Sequence, residues 1–383
     1  TGFVPGAVPA FVPGTQPADV PTSLSRGEAL IAIIVGASDS LNRGMAALAL
    51  VDAAAAAGAD VVKFQTFKAE SLVAASAPKA AYQDRNAPEF KSQLEMLQAL
   101  ELDLAAHRAL LERARAKGIQ FLSTPFDLAS VGMLTRDLGL KFLKISSGDL
   151  TNAPLLLAMA RTGADLILST GMATMDEIQE ALGVLAFGCL GGAQPGRAAF
   201  RNAFESAEGR AALVARVSIL HCTSDYPARL TDVNLRAMAT LRSQFGLRTG
   251  YSDHTAGIVI SQAAVALGAA IIEKHMTLDR NLPGPDHRAS LEPGEFAELV
   301  DAIRAIEQAM GSYEKAPTEA EMSTRQVARK TIVAARPIAM GEHFSFDNLT
   351  TKRATGVVAP IALWEMIGRT ATRTYAVDEG IEP

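Results

Sequence analysis

Eight short apolar, β-branched runs, each closing on polar residues and most of them separated by longer Ala/Leu-rich stretches, constrain this 383-residue chain more than any other feature. They are IAIIVG (31–36), VVKFQTF (61–67), IQFLSTP (119–125), KFLKISS (141–147), LILSTG (166–171), VSILHCT (217–223), LRTGYSDH (247–254) and AIIEKHM (270–276). Short runs of this kind read as strands buried on both faces, as in a parallel sheet. The stretches 45–57, 102–117, 155–162, 175–187, 234–245 and 258–267 read as amphipathic crossover helices, with 296–310 following the last strand. Eight strand–helix units in roughly 285 residues predict an α/β fold of the (β/α)8 TIM-barrel type. The polarity is one-sided, because the strands end in KFQT, STP, KISSGD, STG, HCTSDY, SDHT and EKH. Barrel sites are built from several strand ends at once, whereas a doubly wound sheet places its ligand at one switch point. Gly-rich phosphate motifs of the Rossmann and Walker type are absent.

The remaining chain sets the organisation. Residues 1–29 are rich in Pro and Gly without the charged flank and apolar core of a signal peptide, and read as a flexible tail. The barrel is expected over 30–311, a polar linker over 312–328, and a small domain of short strands with Gly and Pro turns over 329–383. About 55 residues build only a marginal core, so docking on another surface is expected. Lys and Arg number 36 against 41 Asp and Glu, a net charge of −5, which argues against a general nucleic-acid binder or a polybasic membrane ligand. Any anionic ligand must therefore meet a local cluster of positive charge. No apolar run approaches a membrane span. Cys189 and Cys222 are too few for a disulfide framework or a cysteine zinc site, and read as reduced residues of a cytoplasmic protein.

His254 and His275 terminate the seventh and eighth strands, neighbours in a barrel, so both imidazoles can reach one point above the rim. Two histidines without thiolates suit a divalent metal and leave positions open for water and a substrate oxygen. The plainer alternative is two hydrogen-bonded barrel histidines, against which their adjacent strand ends and the flanking Asp253 and Glu273 weigh. His221 on strand six is a third candidate, ranked as a hydrogen-bonding group. Lys63 and Lys144 end strands two and four, while Thr124, Ser147, Ser169 and Ser252 offer hydroxyls at the ends of strands three, four, five and seven. Together they form an oxyanion cradle for which phosphate is the natural guest. The hydroxyls could equally cap the following helices, and Lys144 could instead form an imine with a carbonyl substrate. The loop NLPGPDHRASLEP aims Asp286 and His287 at the mouth.

The motifs VVKFQTF, LSTPFD, KISSGDL, LSTGMA, LHCTSDYPA, GYSDHT and IIEKHMTLDRNLPGPDHRASLEPGEF resemble those of the bacterial sialic acid synthases, N-acetylneuraminate and N,N'-diacetyllegionaminate synthases included. The likeness runs in order from about Ala32 to the C-terminus, and the last segment resembles the family's antifreeze-like (SAF, β-clip) domain. The resemblance implies a metal-dependent condensation of phosphoenolpyruvate with the open-chain aldehyde of an N-acylated mannosamine-type sugar, giving a nonulosonic acid and phosphate through C–O cleavage. It implies that His254 and His275 hold Mn²⁺ or Mg²⁺, with Co²⁺ able to substitute. Lys63, Thr124, Lys144, Ser147, Ser169 and Ser252 match the phosphoenolpyruvate positions, and Ser224 stands where the family often has Asn. Tyr226, Asp286 and Arg353 match sugar-side positions. Arg353, in the Lys352-Arg353 pair, would reach across from the partner in a domain-swapped homodimer. Glu273 is the candidate proton acceptor, with Asp149 and His221 as further catalytic candidates.

One departure stands out. The family's first strand ends in a Glu-containing pattern whose carboxylate contacts the sugar. Counting back from Lys63 without a gap places that Glu on Val35, and the Asn-His pair that follows on Asp39 and Ser40. An unreplaced partner of a buried sugar hydroxyl costs roughly 1–3 kcal/mol, unless Asp39 substitutes through a shifted loop. The competing readings are a Schiff-base aldolase using Lys144 and a phosphoenolpyruvate-binding protein with lost or altered turnover.

Overall fold

A computed structural model describes residues 32–37, 45–79, 84, 88, 90–282, 286–356 and 358–383. The chain divides into two compact units, one ending at Gly311 and one beginning at Ser312. The tail expected over 1–29, and Asp39 and Ser40, lie outside the described residues.

In the first unit each of the eight runs forms a strand: β1 Ala32–Ala37, β2 Val61–Thr66, β3 Gln120–Pro125, β4 Phe142–Ile145, β5 Asp165–Ser169, β6 Val217–Cys222, β7 Arg248–Asp253 and β8 Ile271–Met276. They pair in parallel in the order β3-β2-β1-β8-β7-β6-β5-β4, and the two end strands of that order, β3 and β4, lie against each other. The longer helices of this unit are α1 Met45–Ala56, α2 Gln93–Leu100, α3 Leu104–Lys117, α4 Ala153–Arg161, α5 Met175–Cys189, α6 Arg197–Glu205, α7 Ala207–Arg216, α8 Ala237–Phe245, α9 Val259–Ala266 and α10 Pro293–Met310. Their starts follow from local chemistry. Asp103 accepts from the Ala106 N–H to open α3, and Thr174 with Glu177 forms a reciprocal capping box at α5, each satisfying helix donors that have no partner within the helix. No helix among the described residues is long and apolar enough to cross a membrane.

Three helices here were not expected: α2, α6 and α7. α6 and α7 occupy 197–216, where Gly and Pro precede the first and Ser206 ends it, accepting from the Gly209 N–H to start the second. The Gly/Pro punctuation hides two short helices that a search for one long period misses.

The sheet has two apolar faces. The outer one packs against the helices in a large core that includes Leu50, Leu143, Leu182, Ile219, Ile272 and Phe296. The inner one carries a small separate cluster of Val61, Leu122, Ile167, Leu220 and Ile271, with Phe142 packed against it. Gly250 completes that layer on β7, where a Cβ would run into the Ile271 carbonyl and the Leu220 side chain. Strand side chains alternate between faces, so the inner layer fixes which later residues face inward.

The register of β1 shows which of its residues stands level with Lys63. Gly36 pairs with both Lys63 and His275, whereas Val35 pairs with Val62 and Lys274. Neighbours in register share a face. The β1 position level with the inward residues is thus Gly36, one residue beyond Val35.

The second unit contains α11 Glu319–Ala328 and an antiparallel pair, β9 Thr331–Ala334 and β10 Leu349–Lys352. Ile332, Ile338, Phe344, Met366, Tyr375 and Ile381 are among its own core. Much of the stretch expected as a linker, 312–328, is therefore helical. A capping box between Thr318 and Glu321 starts α11, whose residues are nearly all exposed, so no apolar stripe betrays it in the sequence.

Candidate active site

Two residues beyond the inner apolar layer, each strand from β2 to β8 presents a polar or reactive group on the same face: Lys63 on β2, Thr124 on β3, Lys144 on β4, Ser169 on β5, Cys222 on β6, Ser252 on β7 and Glu273 on β8. All seven are buried. The alternation of apolar and polar residues along each strand, repeated around the sheet, is what gathers them at one level.

Glu273 lies at the centre. Its Oε1 accepts from Ser252 Oγ at 2.9 Å and lies 3.7 Å from Lys63 Nζ, and its Oε2 lies 3.8 Å from Lys144 Nζ. Burial favours the neutral acid, but the Lys144 and Lys63 ammonium groups outweigh it and hold the carboxyl down at about 2. Burial conversely lowers Lys144, opposed by Glu273. Lys144 Nζ donates to Ser169 Oγ at 2.5 Å and to the Ile145 carbonyl at 3.1 Å. Glu273 Oε2 and Thr124 Oγ1 are buried without a hydrogen-bond partner among the described residues. Buried polar groups are normally satisfied, so these two mark where a ligand's polar atoms fit.

A second cradle adjoins this one. The 3-10 turn Ser147–Asp149 follows β4, and Ser147 Oγ accepts from the Gly171 N–H at 3.0 Å and sits 3.1 Å from Cys222 Sγ. A Cβ on Gly171 would lie 2.8 Å from Cys222 Sγ and 2.9 Å from Ser147 Oγ, and would collide with Ser224 Oγ. Only glycine lets those three side chains converge.

The histidine pair stands one step further along β7 and β8. The His254 and His275 ring centroids are 5.4 Å apart and nearly perpendicular, and the Tyr226 ring lies 4.2 Å from His254 and 5.9 Å from His275. His254 Nδ1 faces the Thr223 carbonyl at 2.7 Å, so Nδ1 carries the proton and Nε2 keeps its lone pair. Burial lowers both imidazoles, His275 well below its ordinary value. Two neutral imidazoles brought side by side at one rim fit a divalent ion whose other ligands are oxygens. No group of three or more His, Cys, Asp or Glu that could hold a metal occurs among the described residues.

The other candidates divide. Asp286 keeps a buried Oδ1 without a hydrogen bond, and burial, opposed by Lys63, pushes its carboxyl up to about 6. His287 is buried and meets Thr277 Oγ1 at 2.8 Å. His221 is not brought to the cluster either. β6 sends Leu220 and Cys222 inward, so His221 faces the helix layer, where Nε2 meets the Val233 carbonyl at 2.7 Å and the ring lies against Tyr251. Asp149 accepts from Asn152 Nδ2 at 3.0 Å near the start of α4, with no contact to Glu273 or the lysines. Arg353 belongs to the second unit, where it is exposed. Sequence reasoning missed Cys222, Gly171 and Gln65; the last has the inward phase of Val61 and Lys63 and is the one exposed residue of β2. The period-two phase of each strand was the signal that finds them.

A parallel α/β sheet whose strand ends gather two lysines, a carboxylate, a ring of hydroxyls and a histidine pair defines an enzyme that handles an anionic substrate. Residues 50–315 match the NeuB family, and the chain belongs to it. It is 47% identical over 330 residues to the N,N'-diacetyllegionaminic acid synthase of Campylobacter jejuni, covering 86% of this chain and 92% of the relative. Identity to the enzyme of the same name from Legionella pneumophila is 41% over 345 residues, covering 90% and 91%. Among solved structures, the N-acetylneuraminic acid (sialic acid) synthetase of Leptospira borgpetersenii, crystallised with citrate, is 32% identical with a TM-score of 0.60, covering 78% of this chain and 91% of that one.

Proposed function

We propose that this chain condenses phosphoenolpyruvate with the open-chain aldehyde of an N-acylated aminosugar, giving a nonulosonic acid and inorganic phosphate. The two relatives named as N,N'-diacetyllegionaminic acid synthases favour a diacetamido-trideoxymannose acceptor over N-acetylmannosamine. The carrying observation is the unsatisfied Glu273 Oε2 and Thr124 Oγ1 between two buried lysines. Lys63, Lys144, Ser147, Ser169, Ser224, Ser252 and Thr124 bind the carboxylate and phosphate, where charge-assisted bonds are about twice as strong as neutral ones. C3 of phosphoenolpyruvate forms a bond to the aldehyde carbon, whose oxygen is protonated, and water adds to the cation left at C2. Glu273, ionised at neutral pH, accepts the proton of that water. The bond from C2 to the phosphate ester oxygen then breaks, the new C2 hydroxyl gives its remaining proton to the departing phosphate, and the 2-keto acid remains. His254 and His275 would hold Mn²⁺ or Mg²⁺, which supplies Lewis-acid polarisation when bound.

The same reading extends to the architecture. The sheet closes as a (β/α)8 TIM barrel over 30–311, supported by the proximity of β3 and β4. Residues 329–383 form an antifreeze-like (SAF) domain, and Arg353 serves the sugar side of a partner's site in a domain-swapped cytoplasmic homodimer. The test is phosphate release from phosphoenolpyruvate with Mn²⁺, using N-acetylmannosamine, 2,4-diacetamido-2,4,6-trideoxymannose or no sugar, each with and without EDTA. Sugar-dependent, chelator-sensitive release is expected, greatest with the diacetamido sugar. Release indifferent to sugar, or none at all, overturns the reading.

A further inference from the structure

We propose that Cys222 is a positioning residue that makes the Ser147 hydroxyl a one-way donor toward the bound anion, an inference that rests on the condensation reading above. A serine hydroxyl has one proton and two lone pairs. The Gly171 N–H, at 3.0 Å, occupies one lone pair of Ser147 Oγ. Cys222 Sγ lies 3.1 Å away and can either donate to the second lone pair or receive the proton. We assign donation because burial pushes the thiol up, so it keeps its proton at neutral pH and has one to give. With both lone pairs filled, the Ser147 proton has no acceptor among the described residues and is directed at whatever anion enters.

The neighbourhood leaves this arrangement little freedom. Cys222 occupies the inward position on β6 directly after Leu220 and His221, at the level of Lys144 and Glu273, and the Gly171 backbone closes over it. A serine at 222 keeps a donor but is an equally good acceptor, so the direction of the bond becomes ambiguous. An alanine removes the donor and frees the Ser147 proton's partner lone pair, so the hydroxyl is no longer held in orientation.

The experiment is calorimetric binding of phosphoenolpyruvate to the full-length protein and its variants, alongside KM for each substrate and a melting curve for each variant. Cys222→Ala should weaken phosphoenolpyruvate binding about five- to tenfold, the scale of one hydrogen bond, while the sugar KM stays within about twofold of wild type. Cys222→Ser should recover most of that loss. Ser147→Ala made on top of Cys222→Ala should cost less than it does alone, because the two act through one hydroxyl. Unchanged binding in Cys222→Ala, or full additivity with Ser147→Ala, overturns the role of the thiol while leaving the condensation reading intact. A wild-type protein that binds no phosphoenolpyruvate sinks that reading and this inference with it. If the alanine variant does not fold, the serine variant carries the test: it retains a donor, so a phosphoenolpyruvate KM near that of wild type is expected, whereas a rise as large as that of Ser147→Ala, or equal shifts in the KM of both substrates, overturns the inference.

Discussion

Strands β7 and β8 carry a buried carboxylate–lysine system on each face, and the two are built differently. On the outer face Asp253 and Lys274 are fully buried and 3.0 Å apart. Asp253 Oδ1 accepts from the Thr255 N–H and hydroxyl at 2.9 and 2.8 Å, Oδ2 accepts from Ser261 Oγ at 2.6 Å, and Lys274 Nζ also donates to the Thr255 carbonyl at 2.5 Å. On the inner face Glu273 has one hydrogen bond among the described residues, from Ser252, and its two lysines stand off at 3.7 and 3.8 Å. A closed network locks strands together. An open one, with an oxygen left unmet, is poised for a third party.

The comparison breaks most sharply if the outer pair proves dispensable. Lys274→Met strands Asp253 as an uncompensated buried charge and should cost about 3–5 kcal/mol of unfolding free energy, read from urea denaturation. Stability within about 1 kcal/mol of wild type would show that the network does not depend on the ion pair.

On the inner face the same kind of change should move turnover rather than stability. Glu273→Gln keeps the shape and the Ser252 bond but loses the base, and kcat should fall about 10²- to 10³-fold. Its pH signature can be signed. Glu273 is held at about 2 in the folded state against an ordinary 4.5, so it contributes stability that is present above about 4.5 and lost as pH falls toward 2. The glutamine variant should lose that acid slope. Near-normal kcat, or an unchanged slope in urea midpoints measured between pH 5 and 2.5, would remove Glu273 from the centre of the site.

How the two faces read from the sequence follows the same division. The strands were legible because apolar β-branched runs survive in every one of them, and Lys63, Lys144, Ser252, Glu273, His254 and His275 were legible because charge at the end of an apolar strand demands a purpose. What failed was phase. In the segment HCTSDY, His221 and Cys222 are adjacent and therefore on opposite faces, yet the polar imidazole drew attention and the thiol did not. The register of β1 was not legible at all, since a one-residue slip exchanges Val35 for Gly36 at the level of Lys63. Helix α11 was illegible because its exposed faces carry no apolar period.

A smaller effect tests the cradle beside Glu273. Gly171→Ala drives a methyl group against Cys222, Ser147 and Ser224, and should raise the phosphoenolpyruvate KM about tenfold, equivalent to ~1.4 kcal/mol, with little change in sugar KM. Equal effects on both substrates would separate this cradle from the anion.

The smallest effect concerns Asp286, which sharpens the contrast with Glu273 because the two carboxyls are shifted in opposite directions. Burial pushes Asp286 up to about 6 from an ordinary 3.8, so between those values the folded protein holds a proton that the unfolded chain releases. Stability contributed by this group therefore falls as pH rises from about 4 to about 6 and is level above that. Asp286→Asn cannot titrate, so the difference in urea midpoint between variant and wild type should grow across that window, with the variant the more stable at pH 7. A difference that is constant with pH would mean that Asp286 is solvated or paired in the folded protein. If a sugar hydroxyl donates to the unmet Oδ1, as the sugar-side assignment requires, saturating the wild type with acceptor should favour the carboxylate and flatten the slope, whereas saturation with phosphoenolpyruvate, whose charge opposes ionisation, should not.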